Sequence, residues 1–189
     1  MPENYNVDSS LIWNPEPKEK TTEELIKYLE NYGDLLDKFI IKNRPGWEKA
    51  FKKSSYLPLV GSVIMDMAKW LHVNPDFILA LMIHESAGGT SPIARDKNNF
   101  FGWMAYDQSP YSSAGYFCSA QGCIAYVVFR IRTLYFLETG TYYQGATLRG
   151  LNKNYSKDKI EPGDPLTWGD KVCLWMNKID RFLIENKLT

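Results

Sequence analysis

Glu85 follows an uninterrupted apolar run, Phe77 to Ile83, with only His84 between, and leads straight into Ser86-Ala87-Gly88-Gly89 and a polar, amide-rich stretch. A carboxyl group in such a setting is poorly solvated, which favours its neutral form. A carboxyl that keeps its proton near neutral pH is what a general acid for glycosidic bond cleavage requires. On local context alone a helix-end glutamate is more often a solvated or capping side chain. Other chemistry is scarcer. Three cysteines (Cys118, Cys123, Cys173) and two histidines (His72, His84) show no ligand-like spacing, so neither a metal nor a cofactor is implied. Cys118 and Cys123 could pair across a bend, but free buried thiols fit better.

The elements that must carry Glu85 are mostly helices. Asn74 is a good N-cap, Pro75 suits the first helical position and Asp76 complements the helix dipole. Phe77–Ile83 is apolar on every side, as in a helix buried all round, and Gly88-Gly89 ends it. The dipole at that C-terminal end disfavours a charge on Glu85, in the same direction as burial. Upstream, Thr21-x-x-Glu24 reads as a capping box opening a helix, with Gly33 a candidate break and Asn43-Arg44-Pro45-Gly46 its expected end. Leu59 to Val73 reads as a further buried helix. Residues 90–122 carry turn formers and aromatics, predicting loops with a short β-hairpin as an option. Cys123 to Leu137 predicts a second apolar helix, and Thr167-x-x-Asp170 opens a last one with Trp168, Val172, Trp175, Met176, Ile179 and Phe182 at helical spacing. Residues 1 to about 20, with Pro2, Pro15 and Pro17, read as an arm.

The chain has 189 residues, 44% of them apolar and 14% aromatic, enough for a packed core. Lysine plus arginine and aspartate plus glutamate both number 22, so no net field draws the chain to nucleic acid. No stretch is long and apolar enough for a membrane span. Met1-Pro2-Glu3-Asn4-Tyr5 lacks the basic start and apolar segment of a secretory signal.

Three clusters carry a resemblance. Glu85-Ser86-x-Gly88-x-x-Ser91-x-Ile93-Ala94, Asn98-Asn99-Phe100-Phe101-Gly102 and Ala105-Tyr106-Asp107-x-x-Pro110-Tyr111 resemble the glucosaminidase domain of bacterial autolysins and phage lysins, glycoside hydrolase family 73. The likeness continues through Phe117-x-Ser119, Ile124, Thr147-Leu148-x-Gly150-Leu151-Asn152-x-x-Tyr155 and Trp168-x-x-Lys171-Val172-x-x-x-Met176, and covers roughly residues 55 to 185. It implies a mainly α, lysozyme-like domain with a loop or short β-hairpin insertion after the catalytic helix. Residues 1–50 would then be an N-terminal arm and helical extension, and residues 51–189 the catalytic domain. The implied activity is endo-β-N-acetylglucosaminidase action on peptidoglycan glycan strands, with Glu85 as acid. Tyr155 aligns with a tyrosine facing the scissile sugar. Ser91, Asn98, Asn99, Phe101, Trp103 and Tyr106 are candidate substrate-binding positions, with loop-holding an alternative for the asparagines and core packing for Phe101.

One segment departs from the family. Where many relatives carry an acidic residue, this chain reads Phe117-Cys118-Ser119-Ala120-Gln121-Gly122-Cys123-Ile124, with no carboxylate. Asp107 and Asp96 are possible stand-ins. Without a second carboxylate, double displacement through a glycosyl-enzyme is disfavoured; a water positioned by Tyr155 or Asp107, or the substrate's acetamido group, remains. The rival enzymes are a muramidase or a lytic transglycosylase, and the rival of another class is an inactive wall-binding or virion structural module. The expected setting is a phage lysin released by a holin or a virion-associated lytic protein, with a processed, secreted autolysin as the alternative, and the expected action is on the bacterial cell wall.

Overall fold

A computed structural model describes residues 5–14, 20–51, 57–156 and 167–186. The protein is mainly α-helical, in keeping with a lysozyme-like domain. In chain order the helices are α1 (Thr22–Phe51), α2 (Gly61–Leu71), α3 (Pro75–Glu85), α4 (Pro92–Lys97), α5 (Pro110–Ser113), α6 (Ala120–Ile131), α7 (Leu148–Tyr155) and α8 (Trp168–Glu185), with a π turn over Arg132–Phe136.

Helix α3 is the axis of the fold. Every residue from Pro75 to Ile83 is buried, and α2 and α8 pack against it. Each fully buried Leu, Ile, Met or Phe there contributes about 1.5–3 kcal/mol by leaving water. The expected start is present: the Asn74 side chain accepts the Phe77 N–H at 3.1 Å. Asp76 does more than face the dipole. It is buried, and its carboxylate accepts the hydroxyls of Tyr32 (2.8 Å) and Tyr5 (3.1 Å), tying α1 and the N-terminal segment to α3.

The capping box at Thr21 and Glu24 is formed in both directions. Two expected interruptions of the following helix are absent. Helix α1 runs through Gly33 because that glycine is a contact surface: a Cβ on Gly61 would lie 1.9 Å from the Gly33 carbonyl oxygen, so α1 and α2 cross backbone to backbone. It also runs through Pro45, which sits on the exposed side, where water can serve the carbonyl that loses its partner. Helix α2 is shorter than expected and buried on one face only; Trp70 on its other face is 65% exposed.

Residues 5–14 lie along the body. Leu11 is fully buried, its N–H bonded to Ala146 and its carbonyl to the Asn74 N–H, with isolated bridges pairing Ser10 with Thr147 and Ile12 with Val73. Pro2, Pro15 and Pro17 lie outside the described residues. The insertion between α3 and α6 takes the loop form, holding the short helices α4 and α5 rather than a hairpin. The three cysteines are free; Cys123 and Cys173 are buried, but Cys118 is exposed, because it lies in the surface stretch before α6. Among the described residues no helix is long and apolar enough to cross a membrane.

Candidate active site

Glu85 is the last residue of α3, and the turn after it is tightly fixed. Ser86 is fully buried; its hydroxyl donates to the Met82 carbonyl at 2.6 Å and accepts the Gly89 N–H at 2.8 Å. Ala87, Gly88 and Gly89 then take φ values of 51°, 65° and 79°, a left-handed run that glycine tolerates best. Space demands glycine as well. A Cβ on Gly88 would meet the Trp47 ring at 2.7 Å, and one on Gly89 would meet the Leu57 nitrogen at 2.4 Å. The turn is thereby clamped against the end of α1 and the chain leading to α2.

The next strand of the site is the loop 98–103. Asn98 closes α4 in a left-handed conformation and donates to the Phe117 carbonyl at 3.0 Å. Asn99 is buried, and its amide is fully engaged by loop backbone. It donates to the carbonyls of Trp103 and Gly115, both at 2.9 Å, and accepts the Trp103 N–H at 2.9 Å. The rings of Phe100 and Phe101 lie in the core, so Phe101 offers the site its carbonyl rather than its ring. The backbone N–H groups of Phe100 and Phe101 point at the Cys123 thiol, anchoring the loop on α6.

Helices α7 and α8 complete the arrangement. Tyr155, at the end of α7, donates its hydroxyl to the Phe101 carbonyl at 3.1 Å. Trp168 is the first residue of α8, set there by a complete capping box between Thr167 and Asp170. Its indole N–H donates to Glu85 Oε1 at 2.6 Å. The Tyr155 ring lies 5.7 Å from the Trp168 ring, and Tyr135 lies 5.8 Å beyond Tyr155. His84 meets the other side of Trp168 edge-on at 6.3 Å. A carboxyl thus sits within an aromatic wall drawn from three helices and the π turn.

Burial pushes the Glu85 carboxyl up to about 7, and the Trp168 hydrogen bond, which favours the charged form, only partly opposes it. Among the described residues no neighbouring carboxylate enters that shift. Tyr155 is raised well above the usual phenol range, by burial first and then by the Glu85 charge, so it works as a neutral hydroxyl. His84 is lowered by burial and by Lys171, which favours a neutral imidazole. The site therefore offers a carboxyl that keeps its proton up to about pH 7, with one oxygen fixed, beside a neutral phenol.

Of the residues singled out in the sequence, Tyr155 bonds the Phe101 carbonyl and lies within the influence of the Glu85 charge, while Asn98 and Asn99 bond the backbone of Phe117, Trp103 and Gly115. Ser91 caps α4, its hydroxyl accepting the Ala94 N–H at 3.1 Å. Trp103 is half-buried, its ring edge-on to Tyr126 at 5.8 Å. Tyr106 and Asp107 are exposed on the insertion, and Asp96 is exposed and accepts the Tyr111 hydroxyl at 3.0 Å. Trp168 stands out in the sequence by helix periodicity and as part of the family motif, with no site role attached, although the capping box already places it in the first turn of α8. Among the described residues no group of three or more His, Cys, Asp or Glu side chains could hold a metal ion.

A half-buried acid at a helix end in a mainly helical domain is in keeping with a lysozyme-like glycoside hydrolase. The comparisons narrow it. The family model Glucosaminidase, described as mannosyl-glycoprotein endo-beta-N-acetylglucosaminidase, matches residues 61–181, well over half of the chain. The chain belongs to this glucosaminidase family and is a glycoside hydrolase. It is also 34% identical over 130 residues to proteins from two strains of Streptococcus pneumoniae, each named "Putative endo-beta-N-acetylglucosaminidase". The matched stretch is 69% of this chain but only 18% and 17% of those relatives' lengths.

Proposed function

We propose that this domain hydrolyses the β-1,4 bond after N-acetylglucosamine in bacterial peptidoglycan, with Glu85 as general acid. The observation that carries the reading is the Glu85 carboxyl: burial holds its proton to about pH 7, and among the described residues no second carboxylate contributes to its setting. Protonation of the leaving oxygen by Glu85 breaks the bond, and the positive charge left on the anomeric carbon falls to a water or to the sugar's own acetamido oxygen. Tyr155, a neutral hydroxyl beside the acid, is the group we assign to orienting that water or acetamido; Asp107 from the insertion is the alternative. Trp103 and Tyr106 offer ring faces for sugars. Ser91, Asn98 and Asn99 serve by fixing the backbone beneath the groove, and Phe101 by presenting its carbonyl. We assign the action to the bacterial cell wall, as a phage lysin or virion-associated protein.

The test is digestion of purified cell walls by wild type and Glu85→Gln, followed by turbidity and by mass spectrometry of the released fragments. Reducing N-acetylglucosamine ends from the wild type and none from the variant are expected. Reducing muramic ends would reassign the enzyme as a muramidase, and anhydro-muramic ends as a transglycosylase. A variant that clears walls at the wild-type rate would remove Glu85 from the chemistry. An inert wild type that still binds walls would make the domain a binding module.

A further inference from the structure

The geometry points to Trp168 as the positioning residue of the reaction: its indole N–H fixes on which oxygen of Glu85 the catalytic proton resides. The inference rests on the general-acid reading above. An indole nitrogen can only donate a hydrogen bond. The carbonyl oxygen is the stronger acceptor of a carboxylic acid, so the 2.6 Å bond to Oε1 favours that oxygen as the carbonyl and puts the proton of the acid form on Oε2. Oε2 faces Gly102. A Cβ built on that glycine would meet Oε2 at 3.4 Å, and among the described residues no other atom beyond its chain neighbours lies within 4 Å. One oxygen is thus occupied on the α8 side, and the other lies beside Gly102, the one position of the loop 98–103 that carries no side chain.

This division has a consequence for the proton-transfer step. The proton passes from Oε2 to the glycosidic oxygen, the electron pair of the breaking C–O bond follows it to that oxygen, and the carboxyl becomes a carboxylate. A hydrogen bond to a carboxylate is stronger than one to a carboxylic acid carbonyl. Trp168 therefore supports the developing charge more than the ground state, which is how a fixed donor accelerates a reaction. The groups facing Glu85 do not supply this. Tyr155 on α7 spends its hydroxyl proton on Phe101, and His84 on α3 is held neutral by burial and by Lys171 on α8.

The test is Trp168→Phe, which keeps a ring and deletes the N–H. Wild-type activity should fall as pH rises through about 7, the range in which Glu85 loses its proton. In the variant kcat should drop about tenfold on the acid plateau, and the alkaline limb should move upward by roughly half a pH unit, because the bond that favours ionisation has gone. A ring needed only for packing would lower stability and leave the limb in place. A second measurement needs no foldable variant at position 168: in the wild type labelled with nitrogen-15 tryptophan, one indole N–H resonance should titrate with the acid limb. The same resonance should stay constant in Glu85→Gln. An unmoved limb in a folded Trp168→Phe enzyme, or no titrating indole resonance, overturns the inference while the general-acid reading stands. An active Glu85→Gln removes that reading itself.

Discussion

Replacing Glu85 with glutamine should stabilise the protein, and only above the acid range. The carboxyl has an ordinary value of 4.5 in the unfolded chain and about 7 in the folded one. Between those values the native state binds more protons than the unfolded state, so wild-type stability falls as pH rises through the window. It is fully present below 4.5 and lost above 7. The interval from 4.5 to about 7 corresponds to about 3 kcal/mol of stability given up once the group is ionised in both states. Glutamine escapes this cost because it carries no charge to desolvate, and its carbonyl can still accept the Trp168 N–H. The donor pair it adds needs partners, so about 3 kcal/mol is the upper end. For a domain of this size that is roughly 6–12 °C in melting temperature. Denaturation of both proteins at about pH 4 and about pH 8.5 measures the difference. The variant should exceed the wild type at the higher pH and match it at the lower. A gap that is the same at both pH values would mean that burial does not hold the proton on Glu85, and the catalytic reading would lose its physical basis.

Two further predictions concern the backbone that holds the site. Asn99→Ala strips three buried hydrogen bonds from Trp103 and Gly115, a loss of about 3–4 kcal/mol. Chemical denaturation checks this, and a loss under about 1 kcal/mol would show that the amide does not carry the loop. Gly89→Ala places a Cβ 2.4 Å from the Leu57 nitrogen at a φ of 79°, and should cost at least 2 kcal/mol or so from backbone strain and clash together. Gly46→Ala, with nothing within 4 Å of its Cβ, should be neutral or stabilising by about 0.5–1 kcal/mol, and paired thermal melts separate the two.

Where burial is written in consecutive residues, the sequence was a sound guide. Phe77–Ile83 leaves a helix no solvent face, and Asn74, Pro75 and Gly88-Gly89 mark its ends by rules that act within a few residues. The capping boxes at Thr21 and Thr167 are equally local. The failures occurred where a local rule met a contact distant in sequence. Gly33 looked like a helix breaker, but it is the point where α2 crosses α1 and a side chain cannot fit. A proline breaks a helix where the freed carbonyl is buried, and here Ile41, the residue four positions before Pro45, is exposed. The amides of Asn98 and Asn99 were legible as site residues, but their partners Phe117, Trp103 and Gly115 were not, because nothing local encodes a loop that folds back on itself.

The acid is legible in the sequence and its partner is not, for the same physical cause. Glu85 and Trp168 lie on separate helices, far apart in the chain, and six tryptophans offer the same indole donor. What selects Trp168 is the start of α8. A slip of one residue at that start would turn the side chain by about 100° and take the N–H away from Oε1. The Thr167–Asp170 capping box prevents the slip, since Thr167 accepts the Asp170 N–H at 3.1 Å and Asp170 returns a bond to the Thr167 N–H at 3.0 Å. The box is therefore more than a helix start. It sets the register of the indole donor that holds Glu85, and so links a local rule in the sequence to the proton on which the chemistry depends.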